Sequence, residues 1–94
     1  MEIRYYMDPE TDEPHIFEHD VTEDEVREVL LRRGEDRSGK EESRVAIGQT
    51  SVGRYLKVIY VRDPGIDSVF VITAYDLRGR SLQAYRRRQR RRRK

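Results

Sequence analysis

Residues 44–75 read RVAIGQTSVGRYLKVIYVRDPGIDSVFVITAY, and this stretch decides the fold. It holds three runs rich in β-branched and aromatic residues, at residues 44–48, 54–62 and 68–75. Runs of this composition favour strands. The short segments between them, residues 49–53 and 63–67, each contain a glycine and have a length typical of antiparallel hairpins. We therefore predict a β-meander.

A helix is predicted upstream of the meander, where Thr22 is a helix-capping residue and Glu25, three residues on, completes a capping box. The apolar residues that follow recur at helical spacing and form one stripe toward the core: Val26, Val29 and Leu30. Gly34 is expected to end this helix. Residues 35–42 are polar with both charge signs, so we expect an exposed loop there.

The two ends of the chain carry weaker signals. Residues 2–7 have the composition of an edge strand, and residues 14–17 fit either a brief helix or a loop. Ser81 is a candidate cap for a last helix, with Leu82 and Tyr85 on its apolar side. Beyond it, eight basic residues between positions 86 and 94 repel one another and predict a frayed helix or coil.

These elements predict one α+β domain at residues 1–85 and an arginine-rich tail at residues 86–94. The expected architecture is a small antiparallel sheet of three to four strands, packed against an N-terminal helix or helices, with a basic C-terminal helix or tail. A chain of 94 residues has room for one core.

Composition excludes several classes of protein. The absence of cysteine removes disulfides and thiolate metal ligands, which fits a reducing cytoplasm. No apolar run approaches the roughly 20 residues that span a bilayer, so we expect no membrane partner and a cytoplasmic location. His15 and His19 are four apart, but Ile16 stands where the zincin pattern requires glutamate. We therefore predict no metal and no cofactor.

The net charge of +2 hides a strong segregation of charge. Residues 78–94 hold ten of the twenty basic residues and no acid, whereas residues 1–77 carry ten basic and eighteen acidic residues, or −8. Arginine offers a planar fork to phosphate and stacks on bases, so the basic end predicts binding to RNA or another polyanion. A solubility or localisation tail, or a segment that binds an acidic protein, are the alternatives. The predicted contacts are Arg78, Arg80, Arg86, Arg87, Arg88, Arg90, Arg91, Arg92, Arg93 and Lys94.

Alternation along the strands predicts a second nucleic-acid contact. Tyr55, Lys57, Ile59 and Val61 share one face of their strand. In the next strand, the residues expected to share a face are Val69, Val71, Thr73 and Tyr75. Tyr55 and Lys57 could join Thr73 and Tyr75 in a groove that stacks a base. The alternative is that these tyrosines are half-buried sheet residues with solvated hydroxyls.

Three short motifs follow one another in a familiar order: His19-Asp20-Val21-Thr22, then residues 44–48 with 53–60, then residues 71–75. This order resembles the BrnT-type toxins and related small domains of unknown function in the RelE/ParE superfamily, over about residues 1–85. The resemblance implies a compact antiparallel sheet packed against helices. It also implies a metal-independent endoribonuclease that acts on mRNA, free or on the ribosome, and is silenced by a cognate antitoxin.

The resemblance implies catalytic roles for His19, Arg44 and Arg54, and the chemistry of RNA cleavage adds Tyr75 as the fourth candidate. By position, His19 resembles the histidine before the helix, and Arg44 and Arg54 resemble the arginines that open two successive strands. Tyr75 stands where many BrnT-type sequences have an arginine. In metal-free RNA cleavage the arginines would hold phosphate while His19 or Tyr75 moves protons.

Three hypotheses remain open at this point. The first is a ribonuclease toxin, although the superfamily also includes gyrase inhibitors. The second is a non-catalytic RNA- or DNA-binding module on the same scaffold. The third is a protein-interaction module, in which residues 8–42, with fourteen acids against five bases, meet a basic partner such as an antitoxin or fold back on the arginine tail.

Overall fold

A five-stranded sheet forms the centre of the computed structural model, which describes residues 1–92. Arg93 and Lys94, predicted as nucleic-acid contacts, lie outside the described residues. The elements follow in the order β1 (Glu2–Tyr5), β2 (Met7–Asp8), β3 (Glu13–Pro14), a 3-10 helix (His15–His19), α1 (Glu23–Leu31), β4 (Glu35–Ser38), β5 (Arg44–Gln49), β6 (Tyr55–Arg62), β7 (Ser68–Asp76) and α2 (Gly79–Arg92).

The strand order in the main sheet is β1-β7-β6-β5-β4. Strands β5, β6 and β7 form the predicted antiparallel meander. The predicted edge strand at the start of the chain is β1, which pairs parallel to β7 and makes the sheet mixed. β2 and β3 form a separate two-residue hairpin. The prediction of an α+β fold is confirmed, but the main sheet has five strands rather than three or four.

The prediction of an exposed loop at residues 35–42 was wrong in its first half, because Glu35–Ser38 form strand β4 at the edge of the sheet and pair with β5. Charged residues are tolerated here because an outer strand pairs on one side only and leaves the other side to solvent. Composition alone therefore could not distinguish this strand from a loop.

The core lies between α1 and one face of the sheet. The Thr22 side chain accepts a hydrogen bond from the Glu25 amide, and the Glu25 carboxylate accepts one from the Thr22 amide, which completes the predicted capping box. The apolar stripe of α1 packs against a sheet face that we call the α1 face. Its buried members are Ala46, Leu56, Val58, Tyr60, Val71 and Ala74.

A β-bulge at Ile72 changes which side chains of β7 lie together. Ile59 pairs with Thr73 while Tyr60 pairs with Val71, so Ile72 is an extra residue in β7. Val69 and Val71 therefore join the buried cluster of the α1 face, whereas Thr73 is aligned with Ile59 and lies on the other side. The prediction that Val69, Val71, Thr73 and Tyr75 share one face was wrong for this reason. We call the second side, carrying Tyr55, Lys57, Ile59, Thr73 and Tyr75, the open face.

α2 docks on the open face through the predicted residues, and it is longer than expected. Tyr85 is buried with Ile47 and Leu77, and Leu82 packs beside them. The helix begins at Gly79, so Ser81 lies within it rather than capping it, and it continues to Arg92. Of the predicted frayed tail, residues 86–92 are therefore helical.

The prediction that Gly34 ends α1 was wrong, because α1 ends at Leu31 and its C-cap is Arg32. Instead Gly34 leads into β4, and its amide donates to the Ile47 carbonyl at 2.9 Å. A Cβ at position 34 would overlap the Tyr85 hydroxyl. Glycine is therefore needed here for the close approach of α2. Within residues 1–92, none of the helices combines the length and the apolar character that crossing a membrane requires.

Candidate nucleic-acid interface

The open face is only partly covered by α2. The helix packs over Ile47 and the partly buried Val45 and Tyr55. Among the described residues, Lys57, Ile59 and Thr73 remain half-buried on this face, as does Tyr75. Half-burial of a lysine and a tyrosine on one sheet face leaves both an aromatic surface and a positive charge accessible to a ligand.

Four rings meet at one edge of the open face. Tyr6 contacts His15 with ring centroids 6.0 Å apart, His15 contacts His19 at 5.5 Å, and His19 contacts Tyr75 at 5.9 Å. Together with Ile72 and Thr73 these rings line a cavity of about 470 Å³. A nucleobase is planar and apolar on its faces, so a cavity of this kind suits its stacking.

The chain path after β1 explains this ring cluster. The Tyr6 amide donates to the Val71 carbonyl at 2.8 Å, and the His15 amide donates to the Tyr6 carbonyl at 2.9 Å. These bonds hold the 3-10 helix against the half of β7 that β1 does not reach. Ile16 of this helix is buried in the core, while His15 and His19 reach the cavity.

Cationic groups flank the ring cluster. The Lys57 ammonium lies over the Tyr75 ring, 5.9 Å from its centroid. Arg78 lines an adjoining hollow with His19, Asp20, Tyr75 and Asp76, and its guanidinium donates to Asp76 at 3.0 Å. A cation beside an aromatic surface is the combination that proteins use to hold a base and its phosphate.

Arg54 is placed differently, on the side of the sheet that carries α1. Its guanidinium donates to both oxygens of Asp76, at 2.7 and 3.2 Å, and to Glu25 at 2.9 Å. Two further bonds reach the backbone carbonyls of Asp20, at 2.6 Å, and His19, at 3.2 Å. These five bonds use all five N–H donors of an arginine side chain. In this arrangement none of the donors is left for a phosphate.

The charges around Arg54 reinforce one another. The hydrogen bonds that Arg54 donates to Asp76 lower the pKa of Asp76, and donating to Asp76 and Glu25 raises the pKa of Arg54. Arg54 therefore joins β6, β7, α1 and the end of the 3-10 helix. Its contact with the His19 carbonyl links it to the ring cluster through the backbone only.

Arg44 lies in a second charged network at the far end of the sheet. It donates to Asp36 at 3.0 Å and to Ser38 at 3.2 Å, and Asp36 also accepts hydrogen bonds from Arg33 and Tyr60. Burial alone would raise the pKa of Asp36, but these donors outweigh it and the pKa is lowered. In the sheet, Arg44 pairs with Tyr60 of β6, whereas Tyr75 pairs with Lys57 of β6. Tyr60 and Lys57 are three residues apart along that strand. That spacing is about 10 Å along the strand.

One side of α2 is anchored to β4 and the residue before it. Arg88 forms an ion pair with Glu35, with an Nη2–Oε1 distance of 2.9 Å, which lowers the pKa of Glu35. Gln89 and Arg92 both donate to the Gly34 carbonyl, at 3.2 and 2.7 Å. Glu35 belongs to the acidic segment that the sequence suggested could fold back on the arginine tail. Glu23 and Asp24, the acids considered for that role, form no ion pair within residues 1–92.

The other arginines of the helical tail point away from these anchors. Arg86, Arg87, Arg90 and Arg91 are exposed, and in the part of the chain that the structure describes none of them forms an ion pair. The Arg86 guanidinium stacks over the Tyr55 ring at 5.0 Å. Arg86 and Arg90, one helical turn apart, line a hollow of about 400 Å³ with Gln49 and Tyr55. Arg80, near the start of α2, is also exposed.

The structure thus brings together part of the predicted site. His19, Tyr75 and Lys57 are neighbours, whereas Arg44 is remote from them and Arg54 is enclosed by carboxylates. Sequence reasoning did not include Tyr6 or His15 among the site residues. The available signal was the short spacing between His15 and His19, whose rings lie 5.5 Å apart in the structure.

Comparisons of the chain with protein-family models, with curated proteins and with solved structures give no match. The resemblance to BrnT-type toxins accordingly stays a prediction.

Proposed function

We propose that this protein binds single-stranded RNA through the exposed arginines of α2 and the neighbouring open face of the sheet. One observation carries the proposal. The helix is fixed to the body by Tyr85, Arg88 and Arg92, and its remaining tail arginines, Arg86, Arg87, Arg90 and Arg91, stay exposed.

The anchoring gives the arginine array a defined geometry. Residues four apart lie above one another on a helix, so Arg86 with Arg90 and Arg87 with Arg91 form two short rows of guanidinium groups. Arginine binds phosphate through paired N–H donors, and each contact releases condensed counterions. A helix held in place does not have to order its backbone when the RNA binds, which lowers the entropic cost of binding.

The open face supplies surfaces that could contact bases. α2 packs on the same side of the sheet as Tyr55, Lys57 and Tyr75. Stacking of a base on an aromatic ring contributes about 1–3 kcal/mol and tolerates any base. We therefore expect weak sequence preference. Tyr75→Ala should lower affinity for RNA by about tenfold, or about 1.4 kcal/mol.

The test is RNA binding measured by fluorescence anisotropy across a salt series. The variant replaces Arg86, Arg87, Arg90 and Arg91 with glutamine. The matched control replaces the same number of exposed cations on the body: Arg27, Arg32, Arg37 and Lys40. Each lost phosphate contact should reduce the slope of log affinity against log salt by about 0.7, so the α2 variant should lose about 2.8 of slope.

Both variants carry the same net charge. The comparison therefore distinguishes an RNA-binding site on α2 from a general attraction of RNA to positive charge. Equal loss of affinity in the two variants would contradict the proposed interface. Binding of heparin as tightly as RNA would contradict RNA as the ligand. Circular dichroism of the variants controls for unfolding of α2.

The ring cluster favours a second candidate function, a metal-independent endoribonuclease that acts on mRNA and is controlled by an antitoxin. The ring centroids of His19 and Tyr75 lie 5.9 Å apart, and the Lys57 ammonium lies over the Tyr75 ring. These three side chains could supply a proton acceptor, a proton donor and a cation for the phosphate. In this hypothesis His19, Tyr75 and Lys57 act on the RNA, while Arg54 supports His19 through its backbone.

Purified protein should then cleave mRNA in EDTA, and its induced expression should arrest growth. His19→Ala and Tyr75→Phe should each abolish cleavage, while Arg27→Gln should not. RNA binding without cleavage, with or without ribosomes, would eliminate this second candidate and leave the binding function intact.

A further inference from the structure

A second cluster of side chains shares His15 with the ring cluster, and its two carboxylates lie outside the lining of the ring cavity. It consists of Asp8 at the end of β2, and His15 and Glu18 in the 3-10 helix. The His15 Nδ1 lies 3.6 Å from an Asp8 oxygen and 3.6 Å from a Glu18 oxygen. The three ligand atoms all lie within 4.8 Å of one another.

The local fold explains why these three residues converge. In a 3-10 helix, residues three apart project in the same direction, so His15 and Glu18 point the same way. The short hairpin of β2 and β3 folds Asp8 back onto the start of this helix, with Met7 paired to Pro14. The Asp8 side chain is 12% exposed, and its other oxygen accepts a hydrogen bond from the Glu10 amide at 2.9 Å. Asp8 is therefore held with one oxygen toward His15.

The two distances from His15 are longer than a hydrogen bond. A separation of 3.6 Å is too long for a hydrogen bond, and one Nδ1 could donate to only one of the two carboxylates. Two carboxylates are also brought together around one imidazole. Tetrahedral ligands at about 2.0–2.2 Å from a metal lie roughly 3.3–3.6 Å apart, close to the two separations of 3.6 Å from His15.

We infer that Asp8, His15 and Glu18 form a binding site for a divalent transition-metal ion such as Zn²⁺. Two carboxylate oxygens and one imidazole nitrogen are a ligand set that zinc accepts, with a fourth position left to water. Mg²⁺ prefers oxygen ligands in octahedral geometry and is disfavoured by the imidazole. Two carboxylates would balance the charge of the ion.

This site differs from the paired-histidine site that the sequence argued against. The His19 ring makes an edge contact with His15 and lines the RNA-facing cavity, but it is not among the three ligands. The inference does not depend on the proposed RNA binding. A bound ion would join β2 to the 3-10 helix and thereby fix the ring of His15 in the wall of the cavity.

The experiment is isothermal titration of the full, untagged chain with ZnCl₂ after removal of metals by EDTA and dialysis. One equivalent of Zn²⁺ should bind and the melting temperature should rise, whereas MgCl₂ should have no effect. His15→Ala and Glu18→Gln should each weaken Zn²⁺ binding by about tenfold or more. Glu18 is 49% exposed, so Glu18→Gln leaves the fold intact even if His15→Ala does not.

His19→Ala is the matched control, because it removes the other histidine and leaves the three ligands. It should bind Zn²⁺ as the unaltered chain does. No binding of Zn²⁺ by the unaltered chain would overturn the inference. Equal binding by Glu18→Gln and the unaltered chain, or loss of binding in His19→Ala with retention in His15→Ala, would overturn it as well.

Discussion

Replacing Arg54 with alanine tests whether this residue has a catalytic or a structural role. Arg54 was predicted as a catalytic residue, but its hydrogen bonds in the structure give it a structural role. Arg54→Ala leaves Glu25 without its cation, leaves Asp76 with the exposed Arg78 alone, and frees two backbone carbonyls. The side chains of Arg54, Glu25 and Asp76 are 24%, 18% and 25% exposed, so water reaches them in part. Breaking a fully buried pair costs about 3–5 kcal/mol, and partial exposure reduces this to about 2–3 kcal/mol.

The measurement is the free energy of unfolding from urea denaturation, with thermal melting as a second readout. For a domain of this size, a loss of about 2–3 kcal/mol lowers the melting temperature by roughly 10–20 °C. Arg54→Lys should recover part of the stability, because one ammonium keeps the charge but cannot span both carboxylates. Arg27→Ala, at an exposed position with no hydrogen bond in residues 1–92, should change stability by less than about 0.5 kcal/mol.

The pH dependence of the same variant checks the cause. The folded pKa of Asp76 lies below its ordinary value of 3.8, so the stability from this ion pair is present above that pH and is lost as pH falls through the folded pKa. The difference in stability between Arg54→Ala and the unaltered chain should therefore be largest near neutral pH and shrink below about pH 4. If Arg54→Ala instead folds with unchanged stability while RNA binding or cleavage collapses, Arg54 contacts the ligand and the structural reasoning is refuted.

Three further perturbations address other parts of the fold. Gly34→Ala should cost about 1–3 kcal/mol, because its Cβ overlaps the Tyr85 hydroxyl, and Tyr85→Phe should offset part of this loss in a double-mutant cycle; purely additive losses in urea denaturation would disprove the contact. The Thr73 hydroxyl is buried without a hydrogen-bond partner among the described residues, so Thr73→Val should stabilise by up to about 1 kcal/mol in urea unfolding; a destabilised variant would show that the hydroxyl has a partner. Asp36→Asn should remove stability at pH 7, and this loss should shrink as pH falls below about 4, since the folded pKa of Asp36 is lowered from 3.8; a loss that does not change with pH in urea titrations would contradict the ion-pair explanation.

The parts of the fold that depend on local chemistry could be predicted from the sequence. The capping box at Thr22 and Glu25 involves four consecutive residues and needs no distant partner. The meander at residues 44–75 likewise follows from β-branched runs joined by short segments containing glycine. Leu82 and Tyr85 were predicted to dock because they are the last apolar residues at helical spacing.

The parts that depend on pairing with distant residues could not be predicted in the same way. Strand β4 exists because β5 offers it backbone partners, and the composition of Glu35–Ser38 carries no trace of that pairing. The bulge at Ile72 changes which side chains of β7 face each side of the sheet, and no residue type in that strand predicts a bulge there. The continuation of α2 through Arg92 also depends on acceptors elsewhere, at Glu35 and Gly34.

The same limit explains the outcome for the candidate site. His19 and Tyr75 could be nominated because each stands next to a recognisable element, but the carboxylates that surround Arg54 come from α1 and the end of β7. An arginine in sequence carries no sign of whether its donors are already used. Only the three-dimensional arrangement of Glu25 and Asp76 separates Arg54 from the exposed arginines of α2.

The arginines of α2 illustrate how one residue type takes two roles through helical position. Tyr85, Arg88 and Arg92 fall at spacings of three and four and so face the body, where Glu35 and the Gly34 carbonyl receive them. Arg86 and Arg90 fall between them and remain exposed. The inward set neutralises part of the self-repulsion that would otherwise melt so basic a helix, because its charges lie against acceptors. The outward set stays exposed and forms no ion pair within residues 1–92, so the acidic body stabilises the helix without covering these charges.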